Sequence, residues 1–222
     1  MRTAVILSHA PVVAQQEPLA GHVPKILRQL GYEPIIRSFV AGTAPVEHVD
    51  LLLVMGSFES VLDHQLPWLE TERDYIRAQQ DRGVPVIGIC FGAQLLAQLL
   101  GGQVGNAAEA ENGFYWFSCT PESFVDAGPW AEFHYQCFTL PPGATLLAYT
   151  PVANQGFVHG KNLGLQFHLE LTAEAAELLL AEEPTMLTDE QRHRFLRQLA
   201  AEAETYQARG RRVLETFLQT LA

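Results

Sequence analysis

Val84-Pro85-Val86-Ile87-Gly88-Ile89-Cys90-Phe91-Gly92-Ala93-Gln94 is the stretch on which the reading of this chain turns. Its first six residues read as a buried strand. Gln94-Leu95-Leu96-Ala97-Gln98-Leu99-Leu100 then runs as a helix that stops at Gly101-Gly102. A strand, a reactive side chain flanked by glycines and a helix together make a nucleophile elbow. The glycines are needed because the turn is strained and neighbouring side chains would collide there. A cysteine in this position meets the helix N-terminus, whose free N–H groups and dipole favour thiolate over thiol. The next backbone N–H, that of Phe91, can point at a developing oxyanion.

A second stretch supplies a base. In Leu163-Gly164-Leu165-Gln166-Phe167-His168-Leu169-Glu170 the run before His168 reads as a strand, which puts His168 near a strand end. Side chains two apart on a strand share a face, so His168 and Glu170 can point the same way. A thiol needs a base to activate it, and the base needs a group to orient it. Cys90, His168 and Glu170 fit those three roles.

Outward from these stretches the chain alternates. Thr3 to Ser8 is strand-like, Leu19 to Leu30 has helical spacing and ends at Gly31, and Pro34 to Val40 and Asp50 to Met55 are strand-like. Pro67 to Arg82 reads as a helix with Pro near its first turn and Gly83 at its end. Strand, helix, strand in repetition predicts a parallel sheet covered on both faces. Ligands then bind at the carboxyl ends of the strands, where Gly56 and Cys90 both fall. From Phe114 to His168 the runs are shorter and richer in aromatics, and they read as added, partly antiparallel strands. From Thr172 onward three helices are expected, Ala173 to Glu183, Asp189 to Ala208 and Arg211 to Leu221, with Thr188 or Asp189 as an N-cap and a break at Gly210. Their apolar stripes suit either a cap on the main core or a dimer or partner surface. The expected organisation is a catalytic domain over 1–172 and a helical extension over 173–222 packed on it.

Composition narrows the function classes. The chain has 222 residues, 48% of them hydrophobic, enough for a substantial core, and a formal net charge of −11. That charge argues against a nucleic-acid surface, which needs basic residues to replace counterions. The 3 cysteines, Cys90, Cys119 and Cys137, form no framework spacing, which suits a reducing cytoplasm. The 8 histidines are scattered and no CxxC pair occurs, so no metal is expected. Met1 to Ser8 is too short an apolar run for a signal peptide, and no run suits a membrane span, so no membrane partner is expected.

The two motifs together resemble those of the class I glutamine amidotransferases, and the chain looks closest to the free-standing branch related to the glutaminase domain of GMP synthase. The resemblance runs over about residues 1–172. The family's G-x-C-x-G-H-Q is matched at Gly88, Cys90, Gly92 and Gln94, and its Q-F-H-P-E at Gln166, Phe167, His168 and Glu170. Asn154-Gln155-Gly156-Phe157 resembles the N-Q-x-F segment, and His134, Phe138, Leu140, Pro141 and Gly143 follow H-x-D-x-F-x-L-P-x-G. Met55-Gly56-Ser57 occupies the place of the Gly-Gly-Pro oxyanion loop. The chain departs from the family at Met55, Ser57, Ala93, Leu169 and Gln136. At the last of these the family often has an Asp facing the substrate's α-amino group. A neutral Gln136 would forgo a charge-assisted contact that typically contributes about 1.5–3 kcal/mol.

The resemblance implies a flavodoxin-like three-layer sandwich with a mostly parallel central sheet and added C-terminal helices. It implies attack by Cys90 on the γ-amide of glutamine and a γ-glutamyl thioester, with His168 and Glu170 as base and orienter. The amides of Gly56 and Phe91 would form the oxyanion hole. Gln94, His134 and Gln136 are candidate substrate contacts, His134 being equally readable as an ordinary buried histidine. No cofactor is implied. Ammonia would pass to a separate synthetase, since the sequence carries no G-x-x-x-x-G-K-[ST] loop. A stand-alone γ-glutamyl hydrolase, using the same triad without an ammonia route, is the second reading. A non-catalytic interaction protein of the same fold is the third. A homodimer is compatible with all three.

Overall fold

The computed structural model describes residues 2–43 and 46–221; Met1 and Ala222, the ends of the two expected spans, lie outside them. The strands are β1 (Arg2–Leu7), β2 (Tyr32–Arg37), β3 (Leu51–Val54), β4 (Val86–Ile89), β5 (Val104–Tyr115), β6 (Ser118–Cys119), β7 (Trp130–Phe138), β8 (Thr145–Tyr149), β9 (Asn154–His159) and β10 (Asn162–Leu165). The helices are α1 (Val13–Ala20), α2 (Val23–Gln29), α3 (Leu69–Asp81), α4 (Phe91–Leu99), α5 (Ala173–Glu182), α6 (Asp189–Ala201) and α7 (Ala203–Gln219).

The main sheet runs β2-β1-β3-β4-β10-β9-β8-β6. From β2 to β10 neighbouring strands are parallel; β9, β8 and β6 continue the sheet antiparallel. The expected parallel sheet with late antiparallel strands is therefore observed. β5 and β7 pair in a separate antiparallel ribbon.

Alternation along the central strands makes two cores. Ala4, Ile6, Leu51, Leu53, Ile87 and Ile89 face one side and Val5, Leu7, Leu52, Val54 and Val86 the other, each set in its own buried cluster. The first side is covered by Val23, Ile26 and Leu27 of α2 and by Tyr206, Leu214 and Phe217 of α7. The second is covered by Leu69 and Ile76 of α3 and by Leu95 and Leu96 of α4. Each fully buried aliphatic side chain stabilises the fold by about 1.5–3 kcal/mol. The C-terminal helices thus share a core with the sheet.

Several boundaries differ from expectation, β2 among them, which spans Tyr32–Arg37 rather than Pro34 to Val40. The helical run expected over Leu19 to Leu30 is two helices, broken at Gly21, whose φ is 55°. The helix expected from Pro67 begins at Leu69. Gly210 is no break; it lies inside α7, and the chain instead turns at Glu202. The reason at Gly210 is packing, because a Cβ there would stand 2.8 Å from the Leu169 carbonyl oxygen. Thr188 does cap α6, in a reciprocal capping box with Gln191.

Candidate active site

Cys90 sits between β4 and α4 with φ 52° and ψ −110°, among the described residues the one non-glycine with positive φ. Its N–H donates to the Leu165 carbonyl on the neighbouring strand at 2.8 Å. The elbow is as crowded as its glycines suggest. A Cβ on Gly92 would lie 2.1 Å from the Val54 carbonyl oxygen, and one on Gly88 2.3 Å from that of Gly92. The turn is therefore held where β3, β4 and β10 converge, with Cys90 at the start of α4 and only 7% exposed.

Gly56, just past β3, closes one side of the nucleophile. Its missing Cβ would stand 3.6 Å from the Cys90 Cβ and 3.3 Å from His168 Cε1. Phe91 is the first residue of α4, where backbone N–H groups lack intrahelical partners. Cys90, Gly56, Phe91 and His168 therefore meet in one place.

His168 and Glu170 lie just beyond the end of β10, in a loop where His168 makes an isolated antiparallel bridge with Ala131 of β7. Nδ1 of His168 is 2.7 Å from Oε1 of Glu170, and both side chains are buried. Facing a carboxylate, Nδ1 carries a proton and donates it to Glu170. Nε2 makes no hydrogen bond among the described residues. Burial pushes the imidazole's pKa down, but the charges of Glu170 and of the Cys90 sulfur outweigh it and hold it well above the ordinary value.

That loop is pinned carbonyl by carbonyl. The Tyr206 hydroxyl of α7 donates to the His168 carbonyl at 2.5 Å and accepts from the Ala131 N–H at 3.0 Å. His168 N–H in turn donates to the Ala131 carbonyl at 2.9 Å. Leu169, fully buried, has its carbonyl packed against Gly210 of α7. The Glu170 carbonyl accepts from the His22 N–H at 2.7 Å, and a Cβ on Gly21 would lie 2.1 Å from it. Leu169, which stands at a proline position of the family pattern, is thus held by tertiary contacts on both sides.

The candidate substrate contacts surround the same cavity, of about 730 Å³, which Cys90, Gln94, His134, Gln136 and His168 help to line. Nε2 of Gln94 donates to the Gln136 carbonyl at 3.0 Å and to Oε1 of Gln166 at 3.2 Å. The Gln136 side chain is itself engaged, accepting from the Ser60 hydroxyl at 2.8 Å. His134 is tied into a buried charge cluster, with Nε2 3.0 Å from Glu111 and 3.3 Å from Glu132. Burial alone would lower its pKa; the adjacent carboxylates of Glu111 and Glu132 push it up to about 10. Burial pushes the Glu132 carboxyl up to about 7 against the pull of His134. Gln155 completes the cluster by donating to Glu111 at 2.7 Å.

Sequence reasoning passed over several residues of this site. Glu111 and Glu132 lie on β5 and β7, brought to His134 by the pairing of Glu111 with His134 across the ribbon. Tyr206 falls within the helix expected over Asp189 to Ala208, where nothing local marks it as a polar anchor. His9 follows β1 at a strand's carboxyl end, a position that could have flagged it. Among the described residues no helix is long and apolar enough to cross a membrane, and no cluster of metal-binding side chains occurs.

Residues 23–183 match the family model described as glutamine amidotransferase class-I. The GMP synthase (glutamine-hydrolyzing) of Vibrio atlanticus strain LGP32 is 34% identical over 135 residues, covering 55% of this chain and 24% of that protein. The chain thus spans about a quarter of the length of the GMP synthases it matches. A glutamine amidotransferase-like protein of Salmonella typhimurium strain LT2, YfeJ, is 29% identical over 209 residues, covering 85% of this chain and 86% of that one. In fold, a glutamine amidotransferase of Thermotoga maritima matches with a TM-score of 0.84 at 24% identity, over 97% of both chains. Another, from Methylobacillus flagellatus, matches with a TM-score of 0.83 at 25% identity, over 100% of this chain and 95% of that one.

Proposed function

This chain belongs to the class I glutamine amidotransferases, and from that premise we propose that it hydrolyses the γ-amide of glutamine through Cys90, His168 and Glu170. One observation carries the reading: a strained cysteine at a helix N-terminus has Gly56 and a Glu-oriented imidazole packed against it. The Cys90 thiolate attacks the γ-carboxamide carbon, and the carbonyl electrons move to oxygen. The oxyanion is held by the amides of Gly56 and Phe91; such a donor typically contributes about 2.7–4 kcal/mol to the transition state. His168 Nε2–H protonates the amide nitrogen, the C–N bond breaks, and ammonia leaves a γ-glutamyl thioester. His168 then takes a proton from water, which attacks the thioester, and glutamate departs with the thiol restored. Gln94, on the cavity wall, is a candidate to orient the substrate.

In this reading ammonia passes to a synthetase on a separate polypeptide. The likeness to the glutamine-hydrolysing part of GMP synthases supports it. The working compartment is the reducing cytoplasm, where Cys90, Cys119 and Cys137 remain free thiols.

A second reading, a stand-alone γ-glutamyl hydrolase, is favoured by the cavity itself. At about 730 Å³ it has the size of sites that take drug-sized ligands, which leaves room for a group on the γ-nitrogen. Gln136 also offers no charge to an α-ammonium. A diazo-ketone glutamine analogue tests the shared chemistry by intact mass and peptide mapping. One adduct on Cys90 is expected; alkylation of Cys90 by a generic reagent but not by the analogue would reject glutamine recognition. Turnover of glutamine against γ-glutamyl peptides by the isolated chain then separates the two readings. Activity on glutamine that rises with an added synthetase supports the first, and robust peptide cleavage alone supports the second.

A further inference from the structure

Beyond the three residues of the proposed triad, one buried charged pair grips the loop that would hold the oxyanion. His9 directly follows β1 and Ser8, and Glu72 lies in the first turn of α3. Nδ1 of His9 is 2.9 Å from the Gly56 carbonyl oxygen, and Nε2 is 2.9 Å from Oε1 of Glu72. The two side chains are 2% and 0% exposed. The ring is wedged against Trp68 and Phe91, with centroids 5.2 and 4.7 Å away. A carbonyl oxygen can only accept, so the contact to Gly56 requires a proton on Nδ1. The carboxylate on the other side favours a proton on Nε2 as well. Burial opposes the resulting charge, but Glu72 prevails and raises the imidazole's pKa. Glu72 has no other hydrogen-bond partner for its second oxygen among the described residues, so holding His9 is its one visible task.

We propose that His9, held by Glu72, is a positioning residue that clamps the Gly56 carbonyl and so aims the amides of the oxyanion loop; this rests on the amide-hydrolysing function proposed above. A trans peptide points its N–H away from its C=O. Anchoring the Gly56 oxygen therefore sets the direction of the Ser57 N–H, and it restrains the ψ of Gly56, whose own N–H is the proposed oxyanion donor. A glycine is otherwise free to rotate there at little steric cost. The clamp reaches the reacting centre without touching the substrate, because Gly56 packs against both Cys90 and His168.

Two conservative replacements separate the two ring nitrogens. His9→Asn keeps an amide N–H near the Nδ1 position, facing Gly56. His9→Gln moves its amide towards the Nε2 position, facing Glu72, and abandons Gly56. The clamp predicts that His9→Gln lowers kcat for glutamine or a γ-glutamyl amide by about 10–100-fold with KM within about two-fold, since small misplacements of donors are costly. His9→Asn should restore kcat to within about three-fold of the parent protein, a gap of well under one factor of ten. Alkylation of Cys90 by iodoacetamide forms no oxyanion and should proceed at the same rate in all three proteins. Equal kcat losses in both variants, or losses that track the alkylation rate, would overturn the clamp in favour of a purely structural role. If the parent protein cleaves no amide, the proposed function fails instead, and the clamp is read from the Ser57 amide resonance. That resonance should stay in place in His9→Asn and move in His9→Gln; no movement in either would reject the clamp.

Discussion

The elbow around Cys90 and the loop around His168 do equal work in the proposed chemistry, yet they are built in opposite ways. The elbow is made by neighbours in sequence: β4, two glycines and α4 follow one another within residues 86–99. The loop has no such local support. His168, Leu169 and Glu170 are held by the β7 backbone, by Tyr206 and Gly210 of α7, and by the Gly21–His22 turn. A nucleophile can be positioned by local backbone geometry, whereas its base must be delivered across the fold. The comparison teaches where each half is vulnerable. The elbow should fail through strain close to Cys90, and the loop through changes far away in sequence.

The largest effect should come from the elbow's functional atom. Cys90→Ser is expected to lower turnover by about four to six orders of magnitude, as removal of a nucleophile does elsewhere. Circular dichroism and the unfolding midpoint should be nearly unchanged. Retained turnover would remove the mechanism. Next in size is the elbow's backbone. Gly92→Ala should destabilise the protein by about 3–5 kcal/mol, because its Cβ would meet the Val54 carbonyl, which lies in a core strand and has no room to yield. Gly210→Ala, 2.8 Å from the Leu169 carbonyl, should cost less in denaturant unfolding, since the overlap is smaller than at Gly92. A larger loss at Gly210 than at Gly92 would invert the comparison.

The β5–β7 ribbon between the two regions has a pH signature. The folded pKa of His134, about 10, lies above its unfolded value near 6.5. Stability from its protonated form is therefore fully present below about pH 6.5 and is lost as pH rises towards 10. Wild-type unfolding free energy should fall over that window by a few kcal/mol, and His134→Asn should make the decline shallower, leaving the part due to His168 and His9, whose pKa values are also raised. An equally steep decline in the variant would show that His134 is not the group responsible. The smallest effect is expected at the loop's remote anchor. Tyr206→Phe removes one hydroxyl that bridges two backbone groups and should cost about 1–2 kcal/mol. Because the His168 backbone loses a tether, kcat should also fall several-fold. Stability loss without any change in kcat would mean that β7 alone positions the histidine.

Much of the molecule was legible from residues alone, for reasons that differ by region. Buried parallel strands are runs of Val, Ile and Leu, so β1, β3 and β4 stand out against helices with 3.6-residue spacing. The N-cap of α6 is a short-range signal: the sequence narrows it to Thr188 or Asp189, and the structure selects Thr188. Gly210 misled because a glycine inside helical spacing reads as a break, while here it admits a close approach by the Leu169 backbone. Gly21 did the converse, splitting a continuous helical pattern so that its amide neighbour could bond to Glu170. Glu72, Glu111 and Glu132 gave no sign of burial, because carboxylates in a sequence ordinarily mean solvent.

The sequence by itself determined the layered parallel fold, the cysteine in its glycine-flanked turn and the His-x-Glu pair. All three depend on periodicity or on spacings of a few residues, which backbone geometry translates without outside help. Only the tertiary structure decided that the His168 loop rests on α7 and on the Gly21 turn, that His134 is spent on two buried carboxylates, and that His9 grips Gly56. Apart from His134 with Glu132, its near neighbour on β7, those pairings join residues far apart in the chain. They form because a polar group taken into the core must find a partner there, and the pattern of residues along the chain does not say which one.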